Sequence, residues 1–429
     1  MASVENKAAP GAPFYTPAQD PPAGTALDPA TAPTLFQPLK IRDLTIQNRF
    51  IVSPMCQYSA DDGHLTEWHF AHLSKYAIHG VGLTIVEATS VLSNGGITPH
   101  DSGLWKDSQI APLKRIVDFA HSQGQKIGIQ LGHAGRKAST LPPWLAHHGT
   151  VASKEHGGWP DNVWSASGIP VAEDKYARPK AVTAEDIKEL VKGFGDAARR
   201  AVEAGFDTIE IHGAHGYLIT EFMSPITNQR TDAYGGSFEG RTRLLFDVIA
   251  AVREVIPASM PLFLRISATE WMEHTGEPSW TLEDSIRLAK LLPAAGVDLL
   301  DVSSGGNNEA QKINVHPYYQ VDLAGKVREA LRQEGIDLLI GAVGFITNAE
   351  MARSIVQEGK KEAIGSKGPD AIEDTAEVAG HVTKADVVLA ARQFLREPEF
   401  VLRSAHQLGV EVQWPNQYHR AGWRKGEKI

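Results

Sequence analysis

Cysteine is almost absent from this chain of 429 residues: Cys56 is the only one. That excludes an internal disulfide and any multi-cysteine metal site. Long apolar runs are missing as well. No stretch approaches the ~20 consecutive apolar residues that span a bilayer, and the N-terminus has no apolar core of the kind a secretion signal carries. Basic clusters are also lacking. Lys and Arg number 42 against 51 Asp and Glu, a formal charge of −9, and the first arginine is Arg42. Nucleic acid, anionic membranes and an organellar transit peptide are therefore disfavoured, and a soluble, cytoplasmic protein is expected. Large apolar residues are scarce in residues 1–33, which hold seven prolines and nine alanines. Such a segment buries too little surface to offset its ordering entropy and reads as a flexible tail.

From Leu35 onward the pattern alternates. Short apolar runs suited to buried parallel strands fall near 50–54, 83–87, 126–131, 207–211, 261–266, 297–302, 337–342 and 386–391. Helical periodicity fills the gaps near 69–79, 109–123, 184–204, 239–256, 282–295, 320–334 and 347–358. Thr183 with Asp186, Thr281 with Asp284 and Thr347 with Glu350 have capping-box spacing. Gly205, Gly296 and Gly335 stand where left-handed helix ends are expected. Eight β-α repeats fit a closed (β/α)8 TIM barrel over 34–410. An open dinucleotide-binding sheet would need G-x-G-x-x-G after its first strand, and none stands there. Residues 138–182 form a long connection after the third strand, on the face where barrel chemistry sits, and are expected to cap it. A second long connection, 360–384, belongs to the opposite, amino-end face. Residues 411–429 make a C-terminal tail.

The carboxyl ends of barrel strands converge and can be read as one site. The richest is His212-Gly213-Ala214-His215-Gly216-Tyr217: two imidazoles able to hydrogen-bond a carbonyl oxygen, and a phenol that keeps its proton at neutral pH because its ordinary pKa is about 10. Other ends supply Ser53-Pro54-Met55-Cys56-Gln57-Tyr58, Glu87-Ala88-Thr89, Gln130, Arg265, Ser303 and Ala391-Arg392. The glycine-rich ends of strands seven and eight, with Arg392, suit a phosphate. Gln130 can pair with the amide edge of a planar ring, Arg265 can stabilise negative charge on it, and the Pro54-Met55 and Ala88 backbone can cover its flat face. Together these point to a phosphorylated planar cofactor across the barrel mouth. His212-x-x-His215 with Glu210 is also compatible with a metal-dependent barrel hydrolase, although Glu210 should face away from Ile211 and no further carboxylate completes a ligand set.

The motifs SPMCQY at 53–58, HGAHGY at 212–217, LRIS at 264–267 and QYHRAGW at 417–423 resemble the Old Yellow Enzyme family of FMN-dependent ene-reductases, in its thermophilic-like, bacterial-type subgroup. The resemblance runs from about Leu35 to Trp423. It implies the same barrel, FMN as cofactor and NAD(P)H as reductant. Ser53, Pro54, Met55, Cys56, Ala88, Gln130, Arg265, Ala391 and Arg392 would contact the flavin, with Cys56 modulating its potential. His212 and His215 would hold the oxygen of an enone substrate, Tyr217 would donate the proton, and Tyr58 would touch substrate. A flavin-binding diaphorase without enone turnover is the alternative. Ala391 replaces the family's usual glycine, and 360–384 is an insertion. Arg420 is expected to reach the active site of a neighbouring subunit, making a homodimer or larger assembly.

Overall fold

The computed structural model describes residues 6–145, 150–357, 383–423 and 427. Eight parallel strands close into a barrel: β1 (Phe50–Val52), β2 (Leu83–Ser90), β3 (Lys126–Gly132), β4 (Thr208–Gly213), β5 (Leu262–Ser267), β6 (Leu299–Ser303), β7 (Leu339–Val343) and β8 (Val387–Ala390). Closure is made where β8 pairs with β1, Leu389 opposite Ile51. The helices between them are α1 (Glu67–Ile78), α2 (Ile110–Ser122), α3 (Ala184–Ala204), α4 (Phe238–Val255), α5 (Leu282–Ala295), α6 (Tyr319–Gln333) and α7 (Ala349–Val356), and α8 (Phe400–Gln407) follows β8. This is the (β/α)8 architecture expected from the repeat pattern, with each of the eight apolar runs forming a barrel strand.

Strand alternation sorts side chains into two layers. Ile209 and Ile211 of β4, Leu262, Leu264 and Ile266 of β5, and Leu300 and Val302 of β6 face outward into the apolar jacket beneath the helices. Inside, Ile51, Leu83, Ile85, Phe263, Leu299 and Leu389 fill the barrel. Its amino end is plugged by an antiparallel hairpin, Leu39–Ile41 with Leu44–Ile46, whose Ile41, Leu44 and Ile46 join that interior cluster. Further along the same inward rows stand Glu210, Arg265 and Asp301, so the interior turns polar toward the carboxyl end.

The caps at Thr183 and Thr281 form as expected, each side chain accepting from the backbone N–H of Asp186 or Asp284. Gly205 and Gly296 end α3 and α5 at φ +94 and +90. The third cap differs. Asn348, not Thr347, caps α7, its side-chain oxygen accepting from the Met351 N–H; an asparagine at the boundary itself outcompetes the threonine one residue earlier.

The N-terminal segment also departs from expectation. Ala23 and Ala26 are buried, and the chain is clasped to the C-terminal tail. Gly24 N–H donates to the Gln413 carbonyl (2.9 Å), Leu27 N–H to Glu411 (2.9 Å) and Gln413 N–H to Thr25 (2.8 Å). Buried Asn48 donates to the Gly24 and Gly80 carbonyls at 3.1 and 2.9 Å, and Gln125 to Ala23 at 3.2 Å. A count of large apolar side chains misses this anchoring because backbone and carboxamide hydrogen bonds supply it. Gly24 (φ +79) runs so close to Gly80 that a Cβ would collide with the Gly80 carbonyl.

Most of the insertion expected at 360–384 lies outside the described residues. Its return is visible: the Thr383 hydroxyl donates to the Gln357 carbonyl at 2.8 Å, and Lys384 N–H to Ile355 at 2.9 Å. Both ends therefore meet at the C-terminus of α7, on the barrel's amino-end side. The connection after β3 arches over the carboxyl end. It carries a two-stranded ribbon, Trp164–Ser165 with Lys180–Ala181, and Trp164 stacks on His133 at 5.4 Å.

Candidate active site

The turn after β4 sets the geometry. His215 sits at φ +62 and Gly216 at φ +74, and a Cβ on Gly216 would run into the Gly306 carbonyl. The left-handed pair reverses the chain and brings Tyr217 back toward His212. A non-glycine residue in that region costs about 1–2 kcal/mol, and the surrounding loops hold it there. His215 N–H donates to Ser267 Oγ at 2.8 Å, and Lys137 Nζ donates to the His215 carbonyl at 2.7 Å and to the Gly306 carbonyl. The three rings stand mutually edge-on: His212 to Tyr217 at 4.9 Å, His212 to His215 at 5.2 Å and His215 to Tyr217 at 6.5 Å.

The protonation states follow from burial and contacts. Both imidazoles are pushed well below the ordinary histidine range, first by burial and then by the positive charge of Arg265, so each is neutral at pH 7 and carries one N–H. His212 Nδ1 accepts from the Ala214 N–H at 3.3 Å, which puts its proton on Nε2. His215 Nε2 meets Ser303 Oγ at 2.8 Å. Burial drives the Tyr217 phenol well above its usual pKa, so it stays protonated. Lys137 lies 5.7 Å over the Tyr217 ring; burial, then Arg136, lowers its ammonium to about 8.

The remaining predicted residues gather around this trio. Pro54 through Tyr58 leave β1 half-buried. Tyr58 (φ +51) meets Trp144 of the arching β3 connection edge-on at 5.8 Å. Cys56 is held as a thiol, raised by burial first and then by Asp101 and Glu87, which makes it a poor nucleophile. Ala88 lies at a register irregularity of β2 between Val86 and Thr89 and lines a small cavity with Asp101, His133, His212 and Tyr217. Irregular strand ends of this kind re-aim backbone beside active sites. On the floor, Arg265 donates to Ser53 Oγ at 3.2 Å and Gln130 Nε2 to Glu210 Oε1 at 2.7 Å. Ala391 precedes the short helix Arg392–Arg396. Its Arg392 is exposed and has no carboxylate partner among the described residues, and Gly344 ends the adjacent β7 at φ +117.

This donor set fits a flavin mononucleotide. A buried guanidinium, carboxamide and hydroxyl lie at the floor for the polar edge of a planar ring, half-buried backbone flanks it, and an uncompensated cation with a glycine turn stands at β7 and β8 for a phosphate. The metal reading fares worse, since Glu210 points into the barrel and is engaged by Gln130. Three contributors carried no assigned role in the sequence: Lys137, Ser303 and Asp301. Lys137 and Ser303 lie at or after strand ends, which was the available signal, while Asp301 interrupts the apolar run of β6 from within. Arg420 is exposed on the amino-end side of its own barrel. Asn416 of the same turn donates to the Ala18 carbonyl at 2.9 Å, and Tyr418 lies 6.0 Å from His79, at the C-terminus of α1.

Comparison with known proteins agrees with this geometry. Residues 34–376 match the family model described as NADH:flavin oxidoreductase / NADH oxidase family. An NADH:flavin oxidoreductase of Gibberella zeae is 48% identical over 422 residues, covering 96% of this chain and 95% of that protein. An NADPH dehydrogenase of Bacillus subtilis is 41% identical over 391 residues, covering 91% and 99%. Among solved structures, morphinone reductase superposes with a TM-score of 0.64 at 24% identity, covering 90% of this chain and 92% of that one, which speaks to the fold alone. Among the described residues no helix is long and apolar enough to cross a membrane.

Proposed function

This chain belongs to the NADH:flavin oxidoreductase / NADH oxidase family, and from that premise we propose that it is an ene-reductase acting on the C=C bond of α,β-unsaturated carbonyl compounds. It is an FMN-dependent oxidoreductase of the Old Yellow Enzyme type that draws its electrons from NAD(P)H. The observation that carries the finer reading is the convergence of two neutral imidazoles and one protonated phenol within 6.5 Å of one another, His212 standing in register with Arg265.

FMN, when bound, would supply hydride-transfer chemistry between NAD(P)H and the substrate, and Gln130, Arg265 and Ser53 on the floor with Arg392 at the phosphate end would hold it. The chain's own residues do the rest. His212 donates its Nε2–H, and His215 its available N–H, to the carbonyl oxygen of the substrate. Such donors matter most as charge builds on that oxygen, because they are already aimed and the site is dry. Tyr217 gives its proton to the α-carbon, a task for an acid that stays protonated at neutral pH. Tyr58, backed by Trp144, closes the substrate side of the mouth.

We further propose that the working unit is a homodimer or larger, with Arg420 entering a neighbouring site. Its position on the amino-end side of its own barrel removes it from its own active site. Mixing Arg420→Ala with Tyr217→Phe chains tests this: an arginine acting in trans regenerates one intact site per mixed dimer, whereas one acting in cis gives no recovery.

The ene-reductase reading is tested by reducing the protein anaerobically and titrating with a cyclic enone while following the flavin spectrum. Stoichiometric reoxidation with formation of the saturated ketone is expected. Reoxidation by oxygen but not by enones would instead identify a diaphorase.

A further inference from the structure

The polar floor of the barrel contains more negative groups than its one cation can balance. Glu210 of β4 and Asp301 of β6 are both fully buried, as is Arg265 of β5 to 7% exposure. Arg265 Nε lies 3.1 Å from Asp301 Oδ2, though not aligned as a hydrogen bond. Glu210 Oε2 and both Asp301 oxygens lack hydrogen-bond partners. The other groups facing Glu210 are the Gln130 amide from β3 and His212 at the next inward position of β4. An ionised carboxylate buried without a counter-charge is too costly to persist, and one of the pair takes up a proton instead.

We propose that Glu210 stands in the folded protein as a neutral carboxylic acid while Asp301 is the ionised partner of Arg265, and that this division positions Gln130 and Arg265 toward the flavin. The geometry assigns the proton. Of the two carboxylates only Asp301 lies within ion-pair distance of the guanidinium, whereas Glu210 meets a neutral amide through one oxygen and nothing through the other. By accepting from Gln130 Nε2, Glu210 also fixes the orientation of that carboxamide, leaving its carbonyl oxygen for other partners. The acid–base tendencies agree: Glu210 is raised to about 8, by burial first and then by Asp301, and Asp301 to about 6, by burial and against the pull of Arg265. Both are positioning residues. With Asp301 already balancing Arg265, a second negative charge at Glu210 would leave the floor net negative beneath the cofactor.

The influence on the flavin rests on the FMN reading of the site; the protonation state does not. Glu210→Gln and Asp301→Asn therefore need two readouts. Infrared difference spectra between wild type and E210Q, taken on the flavin-free protein at pH 7, are expected to show a lost carboxylic-acid band that shifts on isotope labelling of glutamate and not of aspartate. In the FMN-loaded protein, the flavin midpoint potential at pH 7 is expected to stay unchanged in E210Q, where one neutral group replaces another. In D301N, where Glu210 is left as the one carboxylate facing Arg265, Glu210 is expected to ionise in its place, so the acid band weakens while the potential stays near that of the wild type. E210Q is also expected to fold, being a neutral isostere of a neutral group. A lost band that follows aspartate labelling, no lost band at all, a potential that shifts in E210Q, or failure of E210Q to fold would each overturn the proposal. If the wild type bound no flavin, the infrared arm would still decide it while the cofactor reading failed.

Discussion

Replacing Tyr217 with phenylalanine is expected to separate the two halves of the proposed catalytic cycle. The substitution removes one hydroxyl and leaves the ring, so the edge-on packing against His212 at 4.9 Å and the Lys137 ammonium 5.7 Å over the ring are retained. Nothing else in the site needs to move. Loss of a positioned general acid lowers a rate by about 10²–10⁴-fold, or about 2.7–5.5 kcal/mol of barrier. Only enone reduction needs that proton; reduction of the protein by NAD(P)H does not. Rapid mixing is thus expected to show enone-driven reoxidation slowed by at least about a hundredfold, with the NAD(P)H half-reaction within a factor of a few of wild type. Because burial holds the phenol above its usual range, the wild-type advantage should be flat across neutral pH. Equal slowing of both halves, or no slowing of the enone half, would refute the assignment of Tyr217 as the acid.

Three further outcomes follow from the same geometry. The double substitution His212→Ala, His215→Ala is expected to abolish the long-wavelength band and weaken the affinity of phenols bound over oxidised flavin, checked by spectral titration, because both N–H donors to the ligand oxygen are gone. Asn48→Ala is expected to destabilise the fold by at least about 3 kcal/mol in a urea melt, since it strands the Gly24 and Gly80 carbonyls and the Phe50 N–H at about 1–3 kcal/mol for each unsatisfied group; a loss below about 1 kcal/mol would mean that the N-terminal clasp contributes little. Stability should also depend on pH through Glu210. Its folded pKa, about 8, lies above the value of about 4.3 in an unfolded chain, so the folded state holds the extra proton between them. Stability is then full below the lower value and falls as pH rises toward the upper one, and E210Q should flatten that slope.

The barrel was legible because buried parallel strands leave short, nearly unbroken apolar runs, and eight of them at helix-length intervals admit few alternatives. The clustering of His212, His215 and Tyr217 was legible for a similar reason: polar rings placed just past Ile211, with glycines between them, have no role in a core. What escaped was held by interactions that leave no periodic trace. The N-terminal segment is fixed by main-chain carbonyls meeting Asn48 and Gln125, not by apolar side chains. The polar floor was hidden inside strands whose outward faces are apolar, although single charges at Glu210, Arg265 and Asp301, interrupting three successive apolar runs, were its visible sign. Paired register puts Arg265 beside Asp301 and Gln130 beside Glu210, a neighbourhood that only strand order reveals. Asn348 shows the same limit on a smaller scale, since capping spacing alone did not separate it from Thr347.

The central claim concerns where two hydrogens come from. The most direct measurement is isotopic: turnover of a cyclic enone in heavy water with ordinary NAD(P)H, and in ordinary water with NAD(P)H deuterated at the transferred position, followed by nuclear magnetic resonance of the product. The geometry predicts one solvent deuterium at the α-carbon in the first case and one reductant deuterium at the β-carbon in the second. Solvent deuterium at the β-carbon, or consumption of NAD(P)H with no saturated product, would contradict it.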